Sequence, residues 1–220
     1  MNETSKTRKL WGTLEHTILA GKGIDIGCGN DPVTSTARTF DVKDGDANKI
    51  SSYIDEEFDF VYASHCLEHM RDPQQALLDW WKLVRVGGHL FFIVPDEDLY
   101  EQGVFPSRFN DDHKYTFTIS KANSWSSVSV NVLDIAQSLP HSKIVNLMLQ
   151  NQGYDYSIYR HQLLKSNRFA RSLFKKCIKL RKKGVYLPSI ERFLANFTSI
   201  DQTRYCDAVA QIQCIVKKIA

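Results

Sequence analysis

Three groupings of residues in this 220-residue sequence carry side chains able to do chemistry. In Asn110-Asp111-Asp112-His113-Lys114-Tyr115-Thr116-Phe117-Thr118 a histidine follows two carboxylates. An imidazole with an ordinary pKa of about 6.5 is suited to act as a general base at neutral pH, with Asp111 or Asp112 to orient it; the plainer reading is a polar loop in which His113 bonds backbone. His65-Cys66-Leu67-Glu68-His69 satisfies H-x-x-E-H, a zinc-peptidase pattern. That chemistry needs both histidines on one helix face and a third ligand. Here the motif follows an apolar run and Pro73 comes four residues after His69, so no such helix and no metal are expected. Glu68 and His69 then read as a pair steadying the loop. The third grouping is Ile24-Asp25-Ile26-Gly27-Cys28-Gly29-Asn30, where glycines let backbone turn tightly and approach a ligand closely.

That glycine turn has the form D-x-G-x-G. It lacks the third glycine of the dinucleotide fingerprint and the G-K-[ST] of a phosphate loop. Asp25 just before the turn would repel a phosphate and suits a cationic ligand. Asp41, at the end of the next apolar stretch, stands where an acid accepts both hydroxyls of a ribose. In Gly45-Asp46-Ala47 a short acid and a small residue can lie beside a flat ring. Asp41, Asp44 and Asp46 also fit ordinary turn positions.

The elements that must position these residues alternate. Gly23 to Ile26 reads as a strand, Thr39 to Lys43 as a second, and Phe58 to Ala63 as a third, apolar almost throughout as in a strand buried on both faces. Asp72 and Pro73 are an N-cap and first helical residue. Ala76, Leu77, Trp80, Trp81 and Val84 recur at helical spacing, and Gly87-Gly88 is expected to end that helix. Leu90 to Val94 is another buried strand, stopped by Pro95. Val132 to Leu139 reads as a helix, Lys143 to Gln150 as a strand or helix end, and Ala208 to Val216 as a final strand. This order predicts an α/β fold with a Rossmann-like, doubly wound, mostly parallel sheet of seven strands. It forms one domain over residues 1–220, with a basic helical insertion at 153–200.

Taken together, Gly23 to Gly29, Asp41, Gly45-Asp46-Ala47, Phe58 to His69 and Val86-Gly87-Gly88-His89-Leu90 resemble the successive motifs of class I S-adenosylmethionine-dependent methyltransferases, over roughly Gly23 to Asp96. The resemblance implies S-adenosyl-L-methionine as cofactor and S-adenosyl-L-homocysteine as product. It implies contacts from Asp25, Gly27, Cys28, Gly29 and Asn30 to the methionine end, from Asp41 to the ribose, and from Asp46 and Ala47 to the adenine. Ser64 or His65 would contact the cofactor after the next strand. The chain before Gly23 is short, leaving Trp11 to Ala20 as the expected lid. On this reading His113, aided by Asp112, is the catalytic base. The run Asp-x-His-x-x-x-Phe-Thr at 111–118 resembles methyltransferases of surface-polysaccharide pathways, which implies O-methylation of a small molecule or glycan precursor. Val94-Pro95-Asp96 stands where amino-group methylation would place N-P-P-[YF]. RNA or protein methylation, and a non-catalytic scaffold that binds cofactor, are the alternatives.

Composition narrows the partners. The net charge is only +3, but Ser157 to Ile190 contains no acid and ten Lys or Arg residues between Arg160 and Lys183. Such a block is a solvated helical face, or a dock for an anionic substrate or membrane surface. Few aromatics lie at stacking positions among the cations, which argues against nucleic acid. Five cysteines without a C-x-x-C pair fit a reducing cytoplasm. No apolar run reaches the roughly 18 residues of a membrane span, and the N-terminus lacks the form of a secretory signal.

Overall fold

The computed structural model describes residues 3–163 and 166–220; Leu164 and Lys165 of the basic block lie outside them. The elements in chain order are α1 (Glu3–Thr7), α2 (Thr13–Ile18), β1 (Gly23–Ile26), β2 (Arg38–Phe40), β3 (Phe58–Ser64), α3 (Pro73–Lys82), β4 (Val84–Pro95), β5 (Thr116–Thr118), β6 (Ser129–Asn131), α4 (Val132–Gln137), β7 (Ser142–Gln150), α5 (Arg168–Arg181), α6 (Pro188–Ala195), α7 (Gln202–Tyr205) and β8 (Gln211–Lys218). The main sheet runs β2-β1-β3-β4-β8-β7. Its first four strands are parallel, and β8 is antiparallel to both neighbours. Strands β5 and β6 form a separate parallel pair.

Alternation along the central strands builds two cores. Val61 and Ala63, with Leu90, Phe92 and Val94, pack against Leu77, Trp80 and Ile135 of α3 and α4. Phe60, Tyr62, Phe91 and Ile93 face the other way, against Ile18, Leu19 and Trp11. This is the period-two pattern of a sheet covered on both sides.

Three sequence expectations are corrected. The main sheet has six strands among the described residues, not seven, because residues 41–57 are polar and turn-rich and fold as turns and a 3-10 segment, Ala47–Ser52. The helix opened by Pro73 stops at Lys82, and Gly87-Gly88 lie inside β4. The β-branched Val84 and Val86 favour extended backbone there, and Val84 pairs with Phe58. Finally, Trp11 to Ala20 is packed on the sheet, Trp11 edge-on to Tyr62. Glu3 and Thr4 of α1 instead are the residues of the N-terminal segment that line a cavity beside the glycine turn.

Helix α3 begins as read, with the Asp72 carboxylate accepting from the amides of Gln74 and Gln75. Its inner face then holds the 3-10 segment. Trp80, fully buried, donates Nε1–H to the Ala47 carbonyl at 2.8 Å, and Asp79 accepts from the Ser51 amide and hydroxyl at 2.8 and 2.6 Å. Replacing Trp80 with Phe removes that donor and strands a buried carbonyl, at a cost of about 1–3 kcal/mol. Urea unfolding of Trp80→Phe is expected to show a lower midpoint with an unchanged m-value.

Candidate functional site

The chain leaves β1 through two residues in the left-handed region, Gly27 at φ 76° and Gly29 at φ 54°. The Gly27 amide donates to the Phe40 carbonyl at 2.8 Å, tying the tips of β1 and β2. A Cβ on Gly27 would sit 2.7 Å from Cys66 Sγ, so the next loop closes directly over it. A Cβ on Gly29 would meet nothing within 4 Å; its backbone borders open space. The Gly29 amide donates to Asp41 Oδ2 at 2.8 Å, and the Val42 amide to Asp41 Oδ1 at 2.7 Å. The acid expected at the ribose is therefore fixed against the glycine turn.

Two cavities meet at this turn and share Gly27, His65 and His69. The first, about 430 Å³, is lined by Gly27, Cys28, Gly29, Asn30, Ser64 and His65, by His113, Tyr100 and Asn110 opposite, and by Glu3 and Thr4 above. The second, about 650 Å³, is lined by Asp41, Asp46, Ala47, Tyr53, Met70 and Asp112. Every residue expected to contact the cofactor thus borders one cavity or the other, except Asp25. That carboxylate is buried beneath the turn, where it accepts from the Val33 amide at 2.6 Å, so it shapes the turn and borders neither cavity. Burial raises its pKa to about 7, against the pull of the Val33 hydrogen bond. Asp46 is held down to about 2 by hydrogen bonds from Asn48, then by Arg71 at 2.6 Å. Burial pushes the Cys28 thiol up to about 11, which keeps it protonated and removes it as a nucleophile.

A linked pair of cavities with an open glycine cradle at their junction and fixed acids beyond it fits S-adenosylmethionine. Gly27, Cys28, Gly29 and Asn30 would hold the methionine end, and Asp41, Asp46 and Ala47 the adenosine.

Opposite the glycine turn, His113 is buried and its Nδ1 lies 2.7 Å from Glu101 Oε1. Its orienting acid is Glu101, not Asp111 or Asp112. The turn that carries His113 sends its ring inward, whereas Asp112 points outward to pair with His69 Nδ1 at 3.0 Å. Tyr100 and His69 flank the His113 ring, with centroids 5.3 and 5.1 Å away. Beneath them Glu68 is fully buried. Its pKa, pushed up by burial, is brought below the usual range chiefly by His65, then by His113 and His69. His65, at φ 53°, places Nδ1 3.4 Å from Glu68 and Nε2 3.0 Å from Gln211. Burial presses its imidazole down, but the Glu68 carboxylate outweighs this and lifts it to about 9. The H-x-x-E-H run is no α-helix: Leu67–His69 is a single 3-10 turn. Glu101, Tyr100 and Gln211 carried no motif in the sequence. The one signal for Glu101 was an acid just beyond the carboxyl end of a buried strand.

A family profile described as a methyltransferase domain matches residues 31–92. No curated protein matches the chain. Among solved structures, Haemonchus contortus phosphoethanolamine N-methyltransferase 2, in complex with phosphomonomethylethanolamine and S-adenosylhomocysteine, is similar with a TM-score of 0.51 and 12% identity, over 100% of this chain and 53% of that one. This chain therefore spans about half of that protein. A Bacillus halodurans protein thought to be a methyltransferase is similar with a TM-score of 0.50 and 11% identity, over 94% of this chain and 97% of that one. At these identities the likeness is one of fold.

The raised Asp25 pKa gives a stability prediction. A carboxyl with a folded pKa of about 7, against 3.8 unfolded, contributes stability that is fully present below pH 3.8 and is lost as pH rises through 7. Asp25→Asn keeps an acceptor for Val33 and has no such loss. The variant is expected to gain on the wild type between pH 4 and 7, by at most about 4 kcal/mol. Denaturant unfolding at the two ends of that range measures the difference.

Proposed function

We propose that this chain, a member of the class I S-adenosylmethionine-dependent methyltransferases, methylates a hydroxyl oxygen of a small molecule or glycan precursor. The observation that carries this reading is the buried cluster around His113, which faces the glycine turn across the first cavity. An oxygen acceptor must lose its proton, and the cluster is where a proton can be drawn off. The bound cofactor supplies a methyl group on a sulfonium. An acceptor hydroxyl placed against that methyl group would give up its proton to the cluster around His113, which Glu101 orients, and from there to solvent. Glu101 fixes His113 by Nδ1, and Ser64, Asn110 and Thr203 give the cavity that His113 lines hydroxyl and amide groups suited to a polyol.

The residues between β7 and β8 read as the acceptor-specific insertion. Helix α5 buries Ala170, Phe174, Cys177 and Ile178 and turns Lys176 and Lys179 outward. Arg108, Arg171, Lys175 and Arg204 line a small cavity of about 160 Å³ beside Asp201, which suits an anionic handle on the acceptor, such as that of a nucleotide sugar. Among the described residues no helix is long and apolar enough to cross a membrane. The five cysteines are all unpaired, in keeping with a cytoplasmic site of action.

A screen of nucleotide sugars, glycans and amines for release of S-adenosylhomocysteine tests the reading. With a hydroxyl acceptor, His113→Gln is expected to lower kcat by about 10²–10⁴-fold while calorimetry shows unchanged cofactor affinity. Asp41→Ala is expected to weaken cofactor binding by about tenfold, or 1.4 kcal/mol. Methylation of amines alone, or a full rate in His113→Gln, would overturn O-methylation at this cluster.

A further inference from the structure

Glu68 is the least ordinary side chain in the molecule. It is fully buried, and neither carboxylate oxygen receives a hydrogen bond among the described residues. A buried carboxylate is costly unless it is paired or coordinates a metal; the ion pair with His65 at 3.4 Å answers for part of that cost and leaves the side of the carboxylate toward His69 and His113 without a hydrogen bond. Two imidazoles turn the same atom toward it. His113 Nε2 lies 3.9 Å and His69 Nε2 4.0 Å from Glu68 Oε1. These separations are too long for hydrogen bonds. They are a few tenths of an ångström wider than the roughly 3.3–3.6 Å between neighbouring ligands of a tetrahedral ion with bonds of about 2.0–2.2 Å, so a bound ion would draw the three side chains slightly together. The ligand atoms of Glu68, His69 and His113 all lie within 4.8 Å of one another.

The other nitrogen of each ring strengthens the case. His113 Nδ1 is held by Glu101 at 2.7 Å, and His69 Nδ1 by the Asp112 carboxylate at 3.0 Å and carbonyl at 3.2 Å. Carboxylates on the far nitrogens fix the tautomer and aim Nε2, which is how metal-binding imidazoles are commonly supported. His65 approaches the same oxygen by its other nitrogen, Nδ1 at 3.4 Å, while its Nε2 is turned to Gln211; it is the ion-pair partner of Glu68 and not one of the three ligands.

We propose that Glu68, His69 and His113 bind a divalent transition-metal ion of the zinc class, with an open coordination position toward the first cavity. Two imidazoles and one carboxylate are a catalytic ligand set that leaves room for water or substrate. The proposal rests on the methyltransferase reading for its role. With the ion bound, His113 Nε2 is a ligand and not the base: an acceptor hydroxyl at the open position would become more acidic and its proton would leave to water in the cavity. It replaces the sequence-based expectation of no metal. That expectation judged a two-histidine helix, whereas the fold gathers its ligands from a 3-10 turn and a distant loop.

The test uses untagged full-length protein, stripped with a chelator and reloaded with Zn²⁺ or Co²⁺ alone. Elemental analysis is expected to give metal equimolar with protein, and Co²⁺ to give visible absorption of a low-coordinate nitrogen–oxygen site. Glu68→Gln is expected to abolish both. Asp112→Asn, a change at an exposed residue that spares the core, is expected to weaken metal affinity by about 10–100-fold. Substoichiometric metal with no cobalt spectrum, or Asp112→Asn and Glu68→Gln binding as the wild type does, would overturn the site. Methyl transfer to a hydroxyl that persists in metal-free protein would also remove the metal's role while leaving O-methylation standing. Equimolar metal with no hydroxyl acceptor in the screen would leave the metal site and remove O-methylation.

Discussion

The close approach of two loops at the carboxyl ends of β1 and β3 is the constraint on which the site depends. Parallel strands must all deliver their chain to the same edge of the sheet, so the loops after them compete for space. Gly27 resolves the competition by having no side chain: Cys66 Sγ occupies the place a Cβ would take. Because the loops touch there, His65 and His69 border both cavities, and the second loop can carry Glu68 beneath the first cavity. A bulkier residue at 27 would separate the cofactor half of the site from the cluster that faces it.

What was legible in the sequence was what local physics encodes. Gly23 to Ile26 is readable as a short strand with apolar residues at alternate positions before a dense turn signal, and Phe58 to Ala63 because a strand covered on both faces is apolar almost throughout. The start of α3 was readable because Asp72 and Pro73 have a local geometric role, which the two amides on Asp72 display. Asp41 and Asp46 were readable because strand ends and turns place acids predictably. The failures have a common physical origin. Glu101 meets His113 across twelve residues of irregular loop, and no periodicity encodes that pairing. Asp112 was the nearer acid in sequence, but its side chain leaves the turn on the other side. Trp81 and Val84 continue the helical spacing set after Pro73, but the helix ends at Lys82 because Val84 is held as strand by pairing with Phe58.

A second dependence runs through the polar interior of the antiparallel edge. Gln211 of β8 bonds Thr7 at 2.9 Å, Gln150 of β7 at 2.7 Å and His65 at 3.0 Å. Gln213 bonds Gln150 at 3.0 Å and Glu15 at 2.9 Å. Buried amides of this kind are stable only when each partner is present. The N-terminal segment is therefore fastened to β8 by side chains, and β8 to the loop that carries His65. Since Glu3 and Thr4 of the same segment line the first cavity, the position of that wall and the orientation of His65 share one hydrogen-bonded chain.

The excursion between β7 and β8 completes this division of labour. It has an apolar cluster of its own, with Phe174, Ile178, Leu194 and Ile200 at its centre, and the ion pair between Arg181 and the buried Glu191 joins α5 to α6. An element that buries its own apolar surface can change its outer residues without disturbing the sheet. It returns to β8 through α7, where Thr203 reaches the wall of the first cavity. The glycine turn, Asp41 and Asp46 belong to the sheet and its first loops, whereas the wall opposite is supplied by later, longer connections. The geometry of the glycine-turn wall is thus tied to the packing of the sheet, and the shape of the wall opposite is tied to segments that pack largely on themselves.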